Sequence, residues 1–196
     1  MSWFSRRRKS EATSSSAYAA APATSAVAAN AAGAAATPPA PGQTISAGTP
    51  VTPLSKDRLT RLIESRGWKC QIDDDGDLTG RWDDDLVSFM LRGEQEEMLN
   101  VMGLMLEDVP MSKLDEARFA IDEWHREHLW PVCFWRENDD AGLTFTIGAA
   151  VAVDWEPGAT DKQLLQHLEC GLATCGQAFA DFRERLALEP YVEPGP

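Results

Sequence analysis

The strongest constraint on this chain is an apolar stripe near its C-terminal end. Leu164, Leu168, Leu172, Cys175, Phe179, Phe182 and Leu186 recur at steps of four and three residues, the period of one face of a helix. Thr160 and Gln163 stand just ahead of it at capping-box spacing, where each side chain satisfies a backbone N–H of the first turn. A helix with so long a stripe must lie on a sheet or pair with a partner chain. Gly171, Ala173 and Gly176 beside the stripe leave room for another backbone to come close.

The elements upstream supply a sheet. Ser55 is placed to cap a first helix whose face carries Leu59, Leu62 and Ile63, and Gly67 stops it after Arg66. Trp68 to Ile72 reads as a strand, Asp73 to Gly76 as a turn, and Leu78 to Trp82 as the returning strand. Leu86 to Leu91 is strand-like. Met98 to Leu104 is a further strand candidate, with a helical turn as the alternative. Ser112 then caps a second helix with a stripe of Leu114, Ala117, Ile121, Trp124 and His128, and Pro131 ends it. Val132 to Arg136 and Leu143 to Val153 form a hairpin pair; the second alternates and so has one more buried face. The expected fold class is α+β, an antiparallel sheet with helices packed against it.

Composition divides the chain. Glu11 to about Pro53 is almost entirely Ala, Ser, Thr, Pro and Gly, too poor in large apolar side chains to offset the entropy of ordering. We therefore expect a disordered tail over residues 1–53, a domain over 54–188 and a frayed end over 189–196. The tail carries Arg6, Arg7, Arg8 and Lys9 against Glu11 alone, a net +3; with −13 for the whole chain, the remainder holds −16. A domain so acidic repels phosphate backbones and anionic membranes, so no nucleic acid is expected as partner. No apolar run is long enough for a membrane span. The start lacks the apolar stretch of a secretory signal, so the expected location is cytoplasmic. Cys70, Cys133, Cys170 and Cys175 form no C-x-x-C pair and read as core thiols.

The tempting chemistry does not hold its spacing. His125 and His128 are three apart with Arg126 and Glu127 between, whereas a zincin helix needs H-E-x-x-H. His167 is the third histidine, and nothing in the sequence aims it at the other two. Asp73 to Asp77 resembles a calcium loop, but aligning Gly76 to the invariant glycine puts Gln71 and Trp82 at the first and twelfth ligand positions. A solvated hairpin turn fits better. No nucleophile elbow is present. Seven tryptophans in an acidic chain are more telling, because aromatics anchor interfaces. Trp82, Trp130, Trp135 and Trp155 are the candidates for protein contact.

Gly67-Trp68, the run Asp73 to Leu78, Gly80-Arg81-Trp82, Asp122 to Glu127, Leu129-Trp130-Pro131 and the Thr160-Asp161-x-Gln163-Leu164 helix start together resemble the YbjN family. These are bacterial proteins associated with sensory transduction regulation. The resemblance covers about Leu54 to Leu188. It implies a fold similar to the type III secretion chaperones, frequent homodimers, and no established catalytic residues. The family pattern has asparagine where His125 stands, which argues further against a metal role there. The expectation is a non-enzymatic protein-binding module, chaperone-like or regulatory, without cofactor or metal. It would capture a protein partner or peptide on a sheet edge or apolar groove. The alternative is a small-ligand or metal-dependent enzyme centred on His125, Glu127 and His128.

Overall fold

The computed structural model describes residues 50–138, 142–189 and 191. Most of the expected tail over 1–53 and of the end over 189–196 lies outside them. Three helices and seven strands follow in the order α1 (Lys56–Ser65), β1 (Gln71–Ile72), β2 (Leu78–Trp82), β3 (Asp85–Arg92), β4 (Met98–Leu104), β5 (Val109–Pro110), α2 (Leu114–Glu127), β6 (Val132–Glu137), β7 (Thr144–Asp154) and α3 (Asp161–Arg185). The expected α+β class is what folds: one antiparallel sheet with helices packed on it.

Local chemistry sets the element ends. The Ser55 side chain accepts from the Arg58 N–H at the start of α1. At its end, Gly67 takes φ +71; its N–H bonds Glu64 O and the Trp68 N–H bonds Ile63 O, a Schellman closure. That closure engages the Trp68 backbone, so the strand expected from Trp68 shrinks to Gln71–Ile72. The Asp73 carboxylate accepts from the Asp75 and Asp77 N–H groups and from the Thr79 hydroxyl, so it braces a hairpin from inside. Asp83 and Asp84, at φ 46 and 68, make the two-residue turn into β3, a geometry that Asp tolerates. Both halves of the Thr160–Gln163 capping box are present.

Two expectations for α2 need correction. Ser112 is not its cap: the chain leaves Pro110 in a 3-10 turn over Met111–Lys113, and Lys113 at the N-cap makes no side-chain capping bond. The Lys113 ammonium instead donates to Leu186 O beyond α3. The buried stripe also stops at Trp124. His128 is exposed because its backbone turns extended at the C-cap. Its ring lies on Trp124 from outside, with centroids 3.8 Å apart and planes at 10°.

β7 organises the sheet. β4 and then β5 pair along one side of it and β6 pairs along the other, while β3, β2 and β1 continue beyond β4. All three helices lie on one face. α3 spans both cores: Leu164 and Leu168 join Leu59, Ile63, Phe89, Leu99 and Val101, while Phe179 and Phe182 join Ile121, Trp124, Cys133, Phe145 and Ile147. Each fully buried Leu, Ile, Val or Phe side chain among these contributes ~1.5–3 kcal/mol. Close approach is built in at Gly171, where a Cβ would sit 2.6 Å from Val101 Cβ, and at Gly103, where it would sit 2.7 Å from the Phe179 ring. Gly176 has open space around it.

Alternation sends every second strand residue to the other face. The register aligns Leu86, Leu104, Gly148 and Phe134 in one row, and Ser88, Met102, Ala150 and Val132 in the next. Met90, Asn100 and Ala152 form a third. No helix residue joins this set in either core cluster.

Two polar groups tie α3 down. Arg183 bonds both Asp85 and Glu107. His167, buried, accepts the Trp155 indole N–H on Nδ1 at 3.2 Å and faces Val151 O from Nε2 at 3.2 Å. The two partners fix the neutral tautomer with its proton on Nε2. Burial pushes the His167 pKa down from 6.5, and the Val151 bond pulls the other way. The unfolded chain therefore binds more protons just below pH 6.5, so this contribution is full above that pH and is lost as pH falls through the depressed value. The expected result is that the stability difference between wild type and His167→Gln, from urea titrations, is largest above pH 6.5 and shrinks on acidification. A difference that grows as pH falls contradicts this assignment.

Candidate protein-binding surface

The histidines that suggested a metal site have three separate employments. The Cys133 N–H donates to His125 Nε2 at 2.8 Å, so that nitrogen's lone pair is engaged with a strand. His128 stacks on Trp124, and His167 is held under Trp155. Glu127 is exposed at the last residue of α2. Among the described residues, no three His, Cys, Asp or Glu side chains are grouped to hold a metal ion. The Cys70, Cys133 and Cys175 thiols are pushed up to about 12, by burial above all. They stay protonated at neutral pH and are poor nucleophiles.

The His125 bond also shows which way β6 faces. In an antiparallel pair, successive residues alternate between bonding the neighbour and pointing away from it. With its N–H on His125, Cys133 points away from β7. Thr144 O bonds the Asn138 N–H on the β6 side, whereas Ile147 O turns to Met105 on the β4 side. Val132, Phe134 and Arg136 thus bond β7, while Cys133, Trp135 and Glu137 direct backbone groups outward. No described element pairs with that side of β6. His125 occupies the first outward donor; the next, at Trp135, has no hydrogen-bond partner among the described residues.

Exposed apolar side chains gather in sequence at the start of this strand. Leu129 is 86% exposed, Trp130 42% and Val132 58%. The exposed Phe119 lies on α2. Pro131, after a cis peptide bond, is buried and turns the chain from helix to strand.

Of the four candidate tryptophans, two sit with this edge. Trp130 stands in its approach. Trp135 lies on β6 with its ring edge-on to Phe145, 6.0 Å away, and the Arg118 guanidinium 5.1 Å from its centroid. Trp82 packs edge-on to Trp68 and Phe89 against the first core, and Trp155 is held by His167. The structure does not bring these two to the other pair. Sequence reasoning missed Leu129, Val132 and the His125 cap. The available signal was two large apolar residues directly after a helix end, at Leu129 and Trp130.

Comparison with known proteins gives two consistent findings. Residues 55–184 match the YbjN family, described as "putative bacterial sensory transduction regulator". Among solved structures, the chain is similar to YbjN from E. coli, described as a "putative transcription regulator", with a TM-score of 0.59 at 11% identity. The match covers 69% of this chain and 95% of that one. An uncharacterized protein from Methanothermobacter thermautotrophicus matches with a TM-score of 0.44 at 9% identity, over 68% of this chain and 99% of that one. No curated protein matches.

Proposed function

The chain belongs to the YbjN family, and from that premise we propose a non-enzymatic regulatory module that holds a protein partner by adding an extended partner segment to β6. One observation carries this reading: a sheet edge with an open outward backbone at Trp135, approached by the exposed Leu129, Trp130 and Val132. In strand addition, main-chain bonds give affinity, and pockets for alternate side chains give selection. Trp130 is suited to be the anchor, as a large aromatic beside a backbone ladder. Long open edges invite unwanted pairing and are commonly blunted. His125 does this at Cys133 alone, which limits where a partner strand can register.

The occupant is a different protein rather than a second copy. Two domains that each carry −16 repel one another, whereas a neutral or basic segment is attracted. No helix among the described residues is long and apolar enough to cross a membrane, and we assign the module to the cytoplasm.

The test blocks the edge. Immobilised full chain is incubated with bacterial extract, and the bound protein is quantified for wild type, for Trp130→Ser/Val132→Lys, and for Arg66→Ala. Arg66 lies in an exposed ion pair with Glu169 away from the edge, and such pairs contribute little. More than tenfold loss of captured partner is expected in the edge variant, with none in the control. Equal capture by all three chains removes the proposal.

A further inference from the structure

His125 sits at the boundary between two parts of the β6 edge. Before Cys133 come the exposed Leu129, Trp130 and Val132, and after it comes the outward amide of Trp135. Cys133 and Trp135 are two residues apart, ~7 Å along the strand. The Cys133 N–H donates to His125 Nε2 at 2.8 Å, so the ring nitrogen stands where the carbonyl oxygen of an added strand would stand. A strand that pairs at Trp135 therefore cannot continue to Trp130 without displacing His125.

This cap can be removed by a proton. A neutral imidazole has one N–H and one lone pair. With Nε2 accepting, the ring proton is on Nδ1. A second proton can enter only at Nε2, where it turns the acceptor into a donor facing another donor. The ring is exposed, so protons reach it from solvent. We propose that His125 is a proton-operated latch on the β6 edge: neutral, it makes an added strand compete for the Cys133 N–H, and protonated, it releases that donor so that the ladder extends to Trp130. The latch rests on strand addition at β6 and adds its regulation.

The charged neighbours do not imitate this change. Within one turn on α2 stand Asp122, Glu123, Arg126, Glu127 and His128, and Arg126 bonds both Asp122 and Glu123. Arg118, two turns back, lies over the Trp135 ring. β6 brings Arg136, Glu137 and the Cys133 thiol, which burial above all pushes up to about 12. α3 brings Asp181 and Arg185, ion-paired at 2.7 Å. Lys113, before α2, donates to Leu186 O. Carboxylates ordinarily titrate at about pH 4 and Lys and Arg above about 10, so among these groups only imidazoles change charge between pH 5 and 8. His128 is turned to Trp124, with Nδ1 3.2 Å from Trp124 O.

Two measurements test the latch. In the chain alone, protection of the Cys133 amide against hydrogen exchange, corrected for the intrinsic effect of pH, falls about tenfold from pH 8 to pH 5 in wild type. It is low at both pH values in His125→Ala and falls as in wild type in His128→Gln. A synthetic peptide of alternating valine and lysine is then titrated into each chain and followed by fluorescence anisotropy. Wild type binds it about fivefold more tightly at pH 5 than at pH 8, the equivalent of one recovered hydrogen bond. His125→Ala lacks this tightening and binds about fivefold better than wild type at pH 8. Acidification reduces the negative charge that attracts lysine, so general electrostatics gives the opposite sign. Equal Cys133 protection at both pH values in wild type, or one affinity profile shared by wild type and His125→Ala, overturns the latch and leaves strand addition standing. A released Cys133 amide with peptide binding that Trp130→Ser/Val132→Lys leaves unchanged overturns strand addition, and the latch with it. So does a released amide in a chain that binds no peptide.

Discussion

Arg183→Met costs about 3–5 kcal/mol of folding stability at pH 7–8. This guanidinium is shared by two carboxylates with little access to water: Asp85 at the start of β3 and Glu107 between β4 and β5, whose side chains are 4% and 8% exposed. Removing one partner of a buried ion group strands the others, which is more destabilising than the intact group is stabilising. Burial above all, helped by the negative charges of Glu107 and Asp83, pushes the Asp85 pKa up to about 6 against the pull of its bonds to Arg183. Burial also works against the charge on Arg183, but the bonds to Glu107 and Asp85 more than offset that and hold its pKa above the ordinary value.

Without the arginine, the Asp85 carboxyl loses the groups that lower its pKa and rises further. The folded variant then binds protons that the unfolded chain does not, so its stability increases as pH falls from 7 toward 4. Urea titrations of wild type and variant at pH 8, 7, 6 and 5 are expected to show a gap that narrows on acidification. Asp85→Asn/Glu107→Gln added to Arg183→Met recovers much of the loss, because neutral groups no longer need the cation. A gap below 1 kcal/mol, or one that widens at low pH, contradicts this account of how α3 is tied to the sheet.

The sequence showed some of this organisation and hid the rest for identifiable reasons. The α3 stripe, its capping box, the Gly67 stop and the β6–β7 hairpin follow from spacing and turn chemistry between near neighbours, and all were legible. The sheet face that the helices cover was not. Leu86 to Leu91 is apolar on both sides apart from Ser88, and only pairing with β4 and β7 decides which side meets α3. Ser112 looked like a cap because Ser is favoured there, but the 3-10 turn moved the helix start to Leu114. His128 fitted the stripe by number, yet the helix ends before the stripe can bury it.

The candidate surface was legible only in part. Trp130 and Trp135 were singled out as aromatics. That they belong to an edge that no described element pairs depends on β6 joining the sheet beside β7, a long-range fact. The role of His125 was hidden for the same reason: its partner is a backbone N–H eight residues on, which no side-chain motif records.

Pairing of a partner strand with β6 is read by amide hydrogen exchange on the full chain. Exchange is compared for the chain alone and for the chain with the partner recovered by capture. Outward amides of an open edge exchange through small local motions, whereas amides in a ladder wait for larger openings. Strand addition predicts that the Trp135 amide slows by about 100-fold in the complex, while Val101, already buried in a central strand, does not change. Protection that leaves Trp135 untouched and appears on α2 or α3 instead would contradict the account.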